Sequence, residues 1–211
     1  MKDSSFKQSG WALLAGCLLM VVTMVLHPTG GNFKHILAIA SMGIIAHSIA
    51  IASVPISLVG FWGLHQRLKQ TPFLSRLGMA FMLLALIAAA LAAAINGLAL
   101  PLYVQRYAEA TPELIEQLIP ILRYGTALNH AFDFMLMGGV GVSMLIWSIC
   151  FLQNTGIPRW IGYLGIILCA GLLGSFIFGF YLVDLQGFRL FIFGWVIWVV
   201  ATGISLIRMQ K

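Results

Sequence analysis

Charge is what this sequence has least of: only 9% of its 211 residues are Asp, Glu, Lys or Arg, while 61% are hydrophobic. A soluble domain carries roughly 25% charged residues, so these few could not cover a soluble surface. Cysteine is nearly as scarce. Cys17, Cys150 and Cys169 lie in or beside apolar runs and form no CxxC, which leaves no redox or zinc pattern and no CxxCH for covalent haem attachment. Also missing are G-x-S-x-G, H-E-x-x-H and a glycine-rich phosphate loop, so simple hydrolase and nucleotide readings lack their chemistry. The formal charge of +6 comes without a nucleic-acid motif, and a basic balance alone does not make a nucleic-acid partner.

What the chain has in abundance is long apolar runs: Trp11–Leu26, Ile36–Leu64, Phe73–Leu98, Ile121–Leu152, Trp160–Val183 and Phe188–Ile207. A hydrocarbon core of about 30 Å takes about 20 helical residues, and a lone strand would leave backbone groups unpaired in lipid. The fold class expected is therefore all-α: a polytopic membrane protein, one domain over residues 1–211, built as a compact bundle of six transmembrane helices. LLAGC, at Leu13–Cys17, resembles a lipoprotein cleavage box, but LLMVVTMVL continues past it, which favours a retained first span.

Lys2, Lys7, Arg67, Lys69, Arg76, Arg159, Arg208 and Lys211 fall on one side of this topology, and Lys34, Arg106, Arg123 and Arg189 on the other. Eight basic residues against four predict cytoplasmic termini, in a membrane of the bacterial inner-membrane kind. The one long connection, residues 101–120, lies on the outer side. Thr111, Pro112 and Glu113 there read as a helix start, giving a short amphipathic helix over the mouth or leading into the fourth span, bent near Pro120. HPTGG, His27 to Gly31, suits the abrupt return between the first two spans. A weak repeat relates 46–98 to 129–183, through His47 with His130 and Trp62 with Trp147. Glycines in the third, fourth and fifth spans allow close helix packing.

The stretch TALNHAFDF, Thr126–Phe134, places an amide, an imidazole and a carboxylate inside an apolar run. Counted from the outer ends of their spans, His47 lies about eleven residues in and His130 about nine, or roughly 17 and 14 Å at 1.5 Å per residue, so both would sit near midplane. Arg123, Thr126, His130, Asp133 and Met137 follow steps of three or four, forming one stripe with Asn129 beside it. An ionised carboxylate is costly in lipid, so that stripe is expected to face inward. Asn96, Asp184 and Arg189 add polar groups in the outer half.

Three functions fit. The sharpest is haem b held between His47 and His130, with Asn129 or Asp133 orienting a ligand and Arg123 meeting a propionate, in an electron-transfer protein or redox subunit with a membrane redox partner. A second is binding or movement of a small solute, ion or proton through an outer-facing pocket, with Asp133 and His130 titrating and Asn96 and Asn129 as neutral contacts. A third is structural, the same groups stabilising a homo-oligomer or a larger complex. A membrane enzyme, metal- or quinone-dependent, is the remaining alternative: His27, His35, Asp184 and the glutamates could form a surface metal site, although they show no recognised ligand spacing.

Overall fold

The computed structural model describes residues 3–28, 31–153, 155–180, 182 and 185–209. Lys2, Val183, Asp184 and Lys211 lie outside the described residues, and with them part of the basic count, the end of the fifth expected span and one expected pocket residue. Described residues contain no strand. Their helices are α1 (Asp3–Leu26), α2 (Phe33–Arg67), α3 (Pro72–Ala92), α4 (Leu100–Gln105), α5 (Pro112–Phe151), α6 (Arg159–Ile177) and α7 (Leu185–Arg208). A π-helical segment, Ala93–Ala99, joins α3 to α4 without a break, so Pro72–Gln105 makes one span and the spans number six.

The local chemistry explains where these helices begin. Asn32 accepts from the His35 amide through Oδ1 at 3.0 Å and opens α2. Thr111 caps α5 by accepting from the Leu114 amide at 3.4 Å, with Pro112 in the first turn. The expected amphipathic helix is thus the first part of α5, which runs through Pro120 into the fourth span. Of the connection expected at 101–120, the first residues belong to α4 and only 106–111 are non-helical.

Helix lengths divide the bundle into two groups. At 1.5 Å per residue α1 and α7 are each roughly 36 Å long and α6 roughly 28 Å, close to one hydrocarbon thickness. The α2, α3–α4 and α5 spans have 35, 34 and 40 residues and must tilt or project beyond it. Their extra turns meet in a small separate core of Phe33, Val104 and Leu118, one helix contributing each side chain. At the other end, Arg67 donates from Nε to Met209 Sδ at 3.3 Å and its guanidinium lies 6.0 Å from the Phe6 ring centroid. Both ends of the described chain therefore share one face with Arg67, Arg76, Arg159 and Arg208, called the basic face below.

Small residues bring the helices close. A methyl group on Gly60 would strike Leu13, one on Gly139 would strike Ala85 and the Phe81 carbonyl, and one on Gly10 the Gly203 carbonyl. These contacts seat α1 on α2 and α7, and α3 on α5, through close backbone approach. Toward the basic face the interior is filled by aromatic rings. Phe61 stacks between Trp147 and Trp195, with centroids 5.6 and 6.1 Å away, and Phe151 stacks on Trp198 at 5.6 Å.

Candidate functional site: a polar pocket above an aromatic floor

Above the aromatic layer, away from the basic face, the bundle opens into an inner cavity of about 200 Å³. Every span except α6 contributes to its wall, including Thr23 and His27 after α1, His47 on α2, Asn96 in the π segment, Asn129 and Asp133 on α5, and Trp195 on α7. An outer cavity of about 670 Å³ shares His27, Pro28, His47 and Asn96 with the inner one and reaches the ends of α2 and α5. Its volume falls in the range of about 300–1,000 Å³ usual for small-ligand sites.

His47 is positioned from two sides. Its Nδ1 donates to the Gly43 carbonyl one turn earlier at 2.8 Å, and its ring lies directly on Gly97, where any side chain would overlap it. A carbonyl only accepts, so Nδ1 carries the proton, and in the neutral ring Nε2 is the bare acceptor. The π segment brings Gly97 against that ring and sets the neighbouring Asn96 into both cavities. Such single-turn widenings recur at functional sites. Asp133 is buried and accepts from Asn129 Nδ2 at 2.8 Å, an i to i+4 pair on one helix face.

The His27 ring lies 4.7 Å from that of His47, tilted by 59°. His27 Nδ1 donates to the Pro28 carbonyl at 2.9 Å, again leaving Nε2 as an acceptor. Arg189 Nη2 donates to the Met24 and His27 carbonyls at 3.4 and 3.3 Å, capping the end of α1 beside the site. Burial first, then the neighbouring His47, hold the His27 pKa down at about 4; the Pro28 carbonyl pulls the other way, and Arg189 adds a lesser push downward. The native ring then binds fewer protons than the unfolded one between pH 6.5 and about 4, so stability rises with pH across that window. Acidifying from pH 7 toward 4 is therefore expected to lower the thermal midpoint, with a flatter dependence in His27→Gln. A variant whose midpoint falls as steeply as that of the unaltered protein would contradict this assignment.

Several residues expected at a site are brought together here. His47, Asn96, Asn129 and Asp133 line the inner cavity, and His47, Asn96 and Arg123 the outer one. Met137 is fully buried in the main core and lines neither, while Arg189 braces the site from behind. His130 departs from its expected inward orientation: it is exposed and lines neither cavity. The reason is the length of α6. Cys169 donates to the Gly141 carbonyl and Phe176 packs on Phe134, so α6 ends near the level of Asp133. One turn farther out, it has no side chain left to cover His130.

His27, Lys34, Thr23 and Trp195 were not singled out as site residues by sequence reasoning, and they line one or both cavities. Trp195 is 1% exposed, and its indole N–H is buried with no acceptor among the described residues. His27 reads in the sequence as turn chemistry within HPTGG or as a surface metal ligand, not as a pocket residue. No group of three or more His, Cys, Asp or Glu among the described residues is arranged to hold a metal ion. Comparison with known proteins gives no match, whether to a protein-family model, a curated protein sequence or a solved structure.

Proposed function

We propose that the protein binds a small solute in this pocket, admits it from the face opposite the basic one, and holds it above the aromatic floor as one state of a transport cycle. The observation that carries this reading is the convergence of five spans on one cavity containing His47, Asp133, Asn96 and Asn129 in an otherwise apolar bundle. Polar groups cost free energy in such surroundings unless partners satisfy them; His47 commits Nδ1 to Gly43, and Asn129 donates to Asp133, so a solute would meet the bonding capacity left over, such as His47 Nε2. The stacked Phe61, Trp147 and Trp195 give the path a closed end toward the basic face.

A screen of small polar solutes by thermal unfolding in detergent tests the proposal. A ligand at a hundred times its Kd adds about 2.7 kcal/mol, which for a chain of this size raises the midpoint by about 5–10 °C. That rise is expected in the unaltered protein and should be largely lost in Asp133→Asn and His47→Gln. If no solute stabilises the unaltered protein while both variants unfold earlier, the polar groups serve the fold and the proposal fails.

Haem b is the less supported reading. His47 keeps a bare Nε2 beside the larger cavity, but His130, exposed on α5, does not share that cavity. A reduced-minus-oxidised spectrum with an α band abolished by His47→Gln would replace solute binding with haem binding.

A further inference from the structure

The outer cavity joins two chemistries. Lys34 on α2 and Arg123 on α5 are its charged residues among those described, and no carboxylate among the described residues lines it. Glu109, Glu113 and Glu116 are exposed and outside both linings. Phe33 and Lys34, at the start of the 35-residue α2, also border the cavity, and a helix leaves its first amide groups without intrahelical partners and its N-terminus partly positive. Ile36, Ile39, Ile115, Ile119 and Leu122 make much of the remaining wall. One end of a fitting occupant must therefore carry negative charge and the rest must be apolar.

We infer that the solute is a small amphipathic monoanion, such as a medium-chain carboxylate, drawn in by Lys34, Arg123 and the α2 N-terminus and packed against the isoleucine wall. The inference rests on the pocket reading above and assigns its ligand class. Farther in, Asn96 and Asn129 are uncharged amides, and the His27 and His47 rings donate from Nδ1 into backbone carbonyls. Among the described residues Asp133 is the sole carboxylate on either lining and no Lys or Arg lines the inner cavity, so a second anionic group moving inward would meet no cation. That selects one anionic group rather than two. A cavity of about 670 Å³ is too small to enclose a two-chain phospholipid, which limits the apolar part to one short chain or ring.

The test compares butyrate, hexanoate and octanoate with the primary amines and alcohols of the same lengths, using calorimetry on protein in zwitterionic nanodiscs. Carboxylates are expected to bind at least tenfold more tightly than their matched amines and alcohols. Affinity should rise by up to about fourfold per added methylene, the value of burying one such group. The double substitution Lys34→Gln, Arg123→Gln should weaken octanoate at least tenfold and leave octanol unchanged. Arg106→Gln, an exposed position outside both linings, should leave octanoate unchanged and controls for general surface charge. Amines or alcohols binding as tightly as carboxylates would overturn the anion assignment while leaving the pocket reading intact, as would undiminished octanoate affinity in the double variant. Failure of all three series overturns the anion assignment, and the wider solute screen then decides separately whether the pocket binds anything.

Discussion

Gly97→Ala is expected to destabilise the protein by about 1–3 kcal/mol, the usual cost of forcing extra volume into a packed interior. Two effects oppose each other at this position. Alanine is favoured over glycine in a helix by up to about 1 kcal/mol. Against that, the new methyl group would overlap the Cβ and Cγ atoms of His47, which lie at the root of its side chain. A rotamer change at the far end of a flexible chain cannot relieve such a contact, so α2 or the π segment must shift and overpacking wins. The change also displaces the ring shared by both cavities, and ligand affinity should fall with the thermal midpoint. A double-mutant cycle with His47→Gly makes the test specific: removing the Cβ and the ring together should recover most of the overpacking loss. An unchanged midpoint in Gly97→Ala would mean that the ring does not rest on this backbone.

Trp147→Ala is the second large effect, at about 3–5 kcal/mol. The indole is wholly buried, stacks on Phe61 at 5.6 Å, donates to the Ser75 carbonyl at 3.4 Å and lies against Gly78. In lipid, the gain from leaving water largely disappears between helices, but the atoms lining a new void still forfeit their dispersion attraction to the missing ring. The comparison that isolates packing is Trp62→Ala. Trp62 is 54% exposed on the outside of α2, so the same deletion there should cost within about 0.5 kcal/mol. Thermal unfolding of both variants in one detergent checks the difference; equal losses would show that tryptophan content, rather than the floor of the pocket, sets stability.

Much of this architecture could be read from residue order. The apolar runs marked six spans, and Thr111, Pro112 and Glu113 marked the start of α5. Depth and facing were harder to read. Counting from the outer end of each run assumes that every helix starts at the membrane boundary, whereas α2 and α5 extend beyond one hydrocarbon thickness. Counted from Arg67 instead, His47 lies 20 residues away, or roughly 30 Å along α2, nearer the far boundary than midplane. His130 was placed inside because periodicity ranks it with Asp133 and Met137. Periodicity cannot reveal that the neighbouring α6 stops near that level. Likewise, LAAAINGLAL showed small residues suited to close packing, but a π turn has no sequence period that distinguishes it from an α turn, so the meeting of Gly97 with His47 emerges only in the folded chain.

The corner where Phe6, Arg67 and Met209 meet has a practical consequence. Anything fused to either end emerges at the same membrane surface, so reporters placed at the two termini must agree on sidedness, and disagreement would be incompatible with an even number of crossings. Tethering the protein by its tail to a sensor chip would also turn the mouth of the outer cavity toward the flowing solution, with the height of the bundle between the mouth and the tether.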